Sequence, residues 1–290
     1  MQEFGAPLGM AERPVYRVAP DLKGYPMQGS ANLNVMIKAA RMAARSLQKD
    51  FREVEQLQVS SKGPGDFVSR ADRAAQQIIK DELMEARPNY GFLGEEEAEI
   101  IGKDPTRRWI VDPLDGTTNF LHAMPHWAIS IALEHKGEIV AGVVYDPAKD
   151  EMFFAEKGAG AWLNDTQRLR VSARKRMSEA VFSAGFPPDG GKYLPAVLRD
   201  LARLMPMCSG MRRNGAASLD LAWVAAGRFE GYWEYNLKPW DIAAGILIAR
   251  EAGAFVEPIR EDQSLLEDGH LICGSEAIFD QFAKVIRTRD

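Results

Sequence analysis

Residues 109–120 read Trp109-Ile110-Val111-Asp112-Pro113-Leu114-Asp115-Gly116-Thr117-Thr118-Asn119-Phe120, and this stretch decides the fold. The apolar run from Trp109 to Val111 has the character of the end of a buried strand. It delivers two carboxylates, Asp112 and Asp115, into a turn. Gly116 and two threonines follow, supplying close-approaching backbone N–H groups and hydroxyls. Carboxylates attract a hard cation, while a glycine-opened turn or helix start attracts an anion. Together they describe a site for a metal-bound phosphate. Taken alone, Asp-Pro-Leu-Asp-Gly also reads as a surface turn, with proline presetting the geometry and glycine closing it.

Three other segments tilt that balance. Gly94-Glu95-Glu96 closes a short predicted strand at 90–93, where a carboxylate can point into a shared cleft. Trp240-Asp241-Ile242-Ala243-Ala244-Gly245 puts a carboxylate at the start of an apolar helix, where Asp241 can also serve as an N-cap. Lys62-Gly63, Asp66 and Asp72 precede or open a helix expected over 69–86. Each segment is ambiguous by itself; the set is not.

Outward from these motifs the periodicity changes along the chain. Val35, Met36, Ala39, Ala40, Ala43 and Leu47 recur at helical spacing. Runs at 128–133, 139–145 and 151–155 read as strands joined by hairpin-type connections at Lys136-Gly137 and Asp146-Pro147. Beyond about residue 175, strands at 181–184, 231–234, 254–256 and 271–273 alternate with helices at 194–204, 216–226, 242–251 and from 276. An antiparallel-rich first half followed by an alternating second half is α+β, with helices and sheets in layers. Residues 1–26 carry scattered Gly and Pro without periodicity and read as a flexible extension, with Met27 available as a start. The body then divides into an N-terminal half, 27–175, carrying most metal ligands, and a C-terminal half, 176–290, completing the site.

Composition excludes several classes. The chain has 290 residues, 46% hydrophobic and 27% charged, with a net charge of −5 and no long basic block, which argues against nucleic acid as the main partner. No apolar run approaches the roughly 20 residues that span a bilayer. The first residues hold no signal-peptide core, so the expected location is cytoplasmic. Cys208 and Cys273 lack metal-type spacing and read as two buried thiols. His122, His126, His135 and His270 are scattered, which favours packing or surface roles over zinc. Arg212-Arg213 could meet a phosphate, but reads in the first place as a surface or subunit contact.

Phosphoester hydrolysis needs a nucleophile, neutralisation of the transferring phosphoryl group and stabilisation of the leaving oxygen. The chain has no Walker-type loop and no Cys followed five residues later by Arg. Asp112 and Asp115 are three apart, whereas the phosphatases that use a nucleophilic aspartate space their pair by two. A metal-activated water is therefore favoured over a phospho-aspartate.

Gly-Glu-Glu at 94–96, Asp-Pro-Leu-Asp-Gly-Thr-Thr-Asn at 112–119 and Trp-Asp-x-Ala-Ala-Gly at 240–245 occur in the order and spacing of one family. From about residue 30 to its end the chain resembles the inositol monophosphatase family of magnesium-dependent, lithium-sensitive phosphatases, and most of all its bacterial SuhB-type branch. The resemblance implies a layered αβαβα sandwich and a homodimer. It implies Mg²⁺, about two or three ions, held by Glu95, Asp112, Asp115 and Asp241 with the Leu114 carbonyl. Glu95, with the Thr117 hydroxyl and Asp72 behind it, would orient and deprotonate the attacking water. Asp115, Gly116, Thr117, Ala216, Ala217, Ser218, Glu234 and Asp241 would contact substrate, and Lys62 and Asp66 would support the metal site. Relatives commonly carry a hydroxyl residue after the Gly215 position, where this chain has Ala216, which puts strict inositol specificity in doubt. The implied activity is hydrolysis of a small polyol phosphate, above all myo-inositol 1-phosphate, by direct in-line attack. Phosphatases for fructose 1,6-bisphosphate, 3′-phosphoadenosine nucleotides or histidinol phosphate share the motifs, and a partner-binding regulator keeping the fold is the alternative of another class.

Overall fold

The structure is a computed structural model describing residues 29–53, 59–63, 66–186 and 191–288, with backbone alone for 59–63 and 66–69. The expected flexible extension at 1–26 lies outside the described residues, and so do the side chains of Lys62 and Asp66. Helix α1 (Ala31–Arg52) begins four residues before its predicted apolar pattern at Val35, because the Ser30 hydroxyl accepts from Leu33 N at 3.3 Å and caps it. Strands β1 (Val59–Gly63) and β2 (Asp66–Ser69) form an antiparallel hairpin ahead of helix α2 (Arg70–Ala86).

A seven-stranded sheet follows, in the order β3 (Gly91–Gly94), β4 (Arg107–Asp115), β5 (Ala128–His135), β6 (Glu138–Asp146), β7 (Glu151–Glu156), β8 (Gly160–Leu163) and β9 (Gln167–Arg168). Only the β3–β4 pair is parallel. The short helix α3 (Thr117–Leu121) leaves the end of β4.

The second sheet has five strands, and its chain order alternates with helices: β10 (Val181–Ala184), α4 (Leu194–Leu204), β11 (Gly210–Arg212), α5 (Ala217–Ala225), β12 (Gly231–Glu234), α6 (Pro239–Glu251), β13 (Ala254–Pro258), α7 (Leu265–Asp268), β14 (Leu271–Ser275) and α8 (Phe279–Arg287). In space the order is β11-β10-β12-β14-β13, with β11, β10 and β12 mutually parallel. Strands β14 and β13 run antiparallel to their neighbours.

Period-two alternation explains the layering. Trp109, Val111, Ile129, Ile131, Val143 and Tyr145 face α1 and α2, while Ile110, Ala128, Ala132 and Val144 face α5 and α6. On β12, Tyr232 faces the inner helices and Trp233 faces α4 and α8. The result is five layers, αβαβα, of an α+β fold.

The small residues of the 240–245 motif have a packing reason. Helix α6 is apolar on every side because it lies between two sheets. A Cβ on Gly142 would meet the Ala244 carbonyl oxygen at 2.9 Å, and one on Gly245 would meet Leu221 at 2.7 Å. Larger residues at either place would push the central layer apart.

The two thiols differ from expectation in part. Cys273 is buried, but Cys208 is only half-buried. Among the described residues no helix is long and apolar enough to cross a membrane.

Candidate active site

Strand β4 runs buried to its end, so its last carboxylates are carried inside the protein: Asp112 is 2% exposed and Asp115 8%. The ladder to β5 breaks between Asp112 and Asp115, which lets the chain turn while both side chains stay on the site. One Asp112 oxygen accepts the Leu114 N–H at 2.9 Å. Gly116 sits at φ +89°, a left-handed conformation open to glycine, and a Cβ there would meet the His126 carbonyl oxygen at 3.1 Å and Ala216 at 3.3 Å. The chain then enters α3, and the Thr117 hydroxyl lies 2.9 Å from the Leu114 carbonyl oxygen and 3.3 Å from an Asp72 carboxylate oxygen.

Other elements bring further carboxylates. Asp72 comes from the first turn of α2 and is buried. Glu95 follows β3, its N–H bonded to the Val111 carbonyl at 3.3 Å. One ligand atom from each of Asp72, Glu95 and Glu96 lies within 4.8 Å of the other two, a spacing suited to one cation. Gly94 has its reason here: Gln76 accepts from Glu96 N at 2.9 Å, and a Cβ on Gly94 would collide with that amide oxygen at 2.5 Å. Asp241 lies in the first turn of α6, not at its N-cap, because Pro239 starts the helix earlier than the apolar pattern shows. Its carboxylate accepts from Lys238 N at 2.7 Å.

The electrostatics record the convergence. Burial first, then the charges of Glu95, Asp115, Asp241 and Asp72, push the Asp112 carboxyl well above the ordinary carboxylate range. Asp241 is raised well above its ordinary value by burial, despite the Lys238 N–H, with Asp115 and Glu95 adding to the shift. No described Lys or Arg forms an ion pair with Asp112, Asp115 or Asp241. Buried, mutually repelling oxygen donors without a cationic partner are a donor set suited to a hard divalent ion. The residues present fit such an ion.

Asp115 differs from its neighbours. Its oxygens accept the Ala217 N–H at 3.2 Å, the Ser218 N–H at 2.8 Å and the Ser218 hydroxyl at 2.5 Å. These donors temper the shift caused by burial, and the carboxyl rises only to about 6. Helix α5 has no side-chain cap of its own, and Asp115 supplies one from the other half of the chain.

A model of the inositol monophosphatase family matches residues 30–289. An inositol-1-monophosphatase of Rhizobium meliloti is 56% identical over 265 residues, 90% of this chain and 98% of that protein. The chain belongs to the inositol monophosphatase family. It is thereby placed among phosphatases. A Nus factor SuhB of Escherichia coli K12 is 39% identical over 85% of this chain and 92% of its own length. Among solved structures, the extragenic suppressor protein suhB of Bartonella henselae superposes with a TM-score of 0.87 at 51% identity, over 90% of this chain and all of that one.

Within this family member, Glu234 stands at the end of β12. Burial raises its carboxyl to about 7, partly offset by the Tyr232 hydroxyl, which donates to it, and by Arg213. A Cβ on Gly185 would fall 1.7 Å from a Glu234 oxygen, so the carboxylate lies directly over that glycine. Ala217 and Ser218, read from the sequence as substrate contacts, donate their N–H groups to Asp115, and Ser218 is wholly buried. Ala216 is buried with them.

Sequence reasoning did not single out Glu96, Gln76, Tyr232 or Gly185. Asn119 stood inside the quoted motif without a role. Its amide N–H donates to the His126 carbonyl at 2.8 Å and to the Asn214 carbonyl at 2.7 Å, tying the α3 turn to the segment before α5.

Proposed function

We propose that the chain is a Mg²⁺-dependent phosphomonoesterase that releases inorganic phosphate from myo-inositol 1-phosphate or a related polyol monophosphate. The observation that carries this is the buried Asp112 carboxyl, repelled by Glu95, by Asp115 of its own strand, and by Asp241 and Asp72, so that three other places in the chain converge on it. Glu95, Asp112, Asp115, Asp241 and the Leu114 carbonyl would hold the metal. When bound, Mg²⁺ would supply charge neutralisation on the phosphoryl oxygens and lower the pKa of water in the site. Glu95 and Asp72 would accept the proton of the attacking water, with the Thr117 hydroxyl bridging Asp72 and the Leu114 carbonyl. The Gly116 and Thr117 N–H groups, at the start of α3, would hold phosphate oxygens. Asp112 already accepts the Leu114 N–H, which supports direct in-line attack by water over a phospho-aspartate. Glu234 would accept a hydroxyl of the polyol.

A panel of polyol, sugar and nucleotide phosphates assayed with Mg²⁺ tests the substrate class through kcat/KM. Asp112→Asn keeps an oxygen for the Leu114 N–H and removes the charge, so kcat should fall by roughly 10³-fold while the fold survives. Near-normal turnover in that variant would refute the assignment. Lithium inhibition and a homodimer belong to the same reading. The relatives named Nus factor SuhB favour a second, partner-binding role beside catalysis. Rescue of a deletion strain by Asp112→Asn would reveal it.

A further inference from the structure

The three parallel strands β11, β10 and β12 end at one edge of the second sheet, and each contributes to the same spot. Strand β12 ends in Glu234, β10 runs into Gly185 and Phe186, and β11 runs into Arg213, Asn214 and Gly215. In sheets with parallel strands, the carboxyl ends are where ligands bind. Glu234 lies over Gly185, as its 1.7 Å approach to a Cβ there shows. The Arg213 guanidinium lies over the ring of the next residue, Phe186, 5.7 Å from its centre. Its Nη1 is 3.3 Å from a Cβ built on Gly215, whose carbonyl oxygen in turn approaches the same position at Gly116 to 3.3 Å. Arg213 therefore stands between the phosphate-side turn and the Glu234 carboxylate.

Arg213 is exposed and makes no ion pair among the described residues. Among the described residues its N–H groups donate to no protein acceptor, which leaves them available to a ligand. Glu234 in its ionised form only accepts, and one oxygen already receives the Tyr232 hydroxyl. An acceptor and a donor of opposite charge, carried at the ends of β12 and β11 on either side of β10, complement two neighbouring hydroxyls, one donating to the carboxylate and the other accepting from the guanidinium. They leave the alcohol side of the site close to neutral, which suits an uncharged polyol.

We infer that Arg213 is a specificity residue, paired with Glu234 to read a vicinal diol on the alcohol part of the substrate. This rests on the polyol-phosphate reading above. It replaces the view of Arg212-Arg213 as a surface or subunit contact for the second of the two.

The test compares Arg213→Ala and Arg213→Lys with the unaltered enzyme on myo-inositol 1-phosphate and on propyl phosphate, which has no hydroxyl to read. For the inositol ester, Arg213→Ala should raise KM about tenfold with kcat within about twofold, a binding interaction common to ground and transition states. Propyl phosphate should show kcat/KM unchanged within about twofold. Arg213→Lys should recover part of the loss, since the charge remains but the planar fork does not. The inhibition constant of free myo-inositol should rise in Arg213→Ala while that of inorganic phosphate stays fixed. Equal losses on both esters, or no loss on either, would overturn the inference. If another polyol ester proves the better substrate, the inositol assignment falls, and the same comparison between that ester and propyl phosphate decides Arg213 separately.

Discussion

Metal binding and folding should be coupled to pH through Asp115, and the size of the effect follows from its surroundings. The carboxyl is raised from 3.8 to about 6 by burial, against the Ser218 and Ala217 donors. A carboxyl raised in the folded state favours folding fully below its unfolded pKa, and that contribution is lost as pH climbs through the folded value. A shift of roughly two units at about 1.36 kcal/mol each means that metal-free protein loses about 3 kcal/mol between roughly pH 4 and pH 6 from this group. Bound Mg²⁺ requires the ionised form, so at pH 5, about one unit below the folded value, Asp115 alone should weaken Mg²⁺ about tenfold relative to pH 7. Asp112 and Asp241 are pushed the same way, which makes the dependence steeper than that of one group. His126 opposes the trend in stability: burial lowers it to about 4, so its contribution is lost as pH falls from 6.5. It is common to both metal states and cancels in their difference. Urea unfolding from pH 4.5 to 8, with chelator and with saturating Mg²⁺, gives that difference directly, and calorimetry in two buffers counts the protons released. A metal-dependent stabilisation that is flat across this range would refute the coupling and the metal role of the cluster.

Two substitutions probe the supports of the site. Ser218→Ala removes a buried hydroxyl bonded at 2.5 Å to Asp115, and should cost about 1.5–3 kcal/mol in urea unfolding; a change below about 0.5 kcal/mol would mean that the backbone donors suffice. Gly185→Ala places a methyl 1.7 Å from the Glu234 carboxylate and should cut kcat/KM for myo-inositol 1-phosphate by more than about tenfold, with a much smaller loss on propyl phosphate. Equal losses on the two esters would show instead that the end of β10 has been distorted.

What the sequence made legible was local. Trp109 and Val111 alternate with Ile110, and that alternation places them in different cores on the two faces of one sheet. Gly116 before two threonines marks a turn that only glycine closes comfortably, and the structure puts φ +89° there. The edges were harder. Strand β9 has two residues, both exposed, and β11 has three residues in all, too few for periodicity to register. The hairpin of β1 and β2 is written in Val-Ser-Ser-Lys-Gly and Asp-Phe-Val-Ser, which lack a sustained apolar alternation. Helix α6 began early because proline at its first turn is a start signal that the apolar run, beginning at Ile242, conceals.

The site itself divides along the same line. A carboxylate's type and place in a motif are visible in sequence, but its partners are set by tertiary distance. Asp115 looks identical to Asp112 in the motif, yet one caps a helix more than a hundred residues away and the other, beyond one local N–H donor, faces like charges. The two therefore meet a cation differently. Asp115 arrives with three donors already fixing its oxygens, so it is oriented before the ion binds. Asp112 has one such donor and the largest accumulation of negative neighbours, so its ionised form gains most when a cation is present. A rigid carboxylate beside an electrostatically frustrated one separates geometry from driving force. Because the donors that fix Asp115 come from α5, a metal bound as proposed would also fix the helix that follows Arg213–Gly215, and so would join the proposed phosphate-side half of the site to the half proposed to read the alcohol.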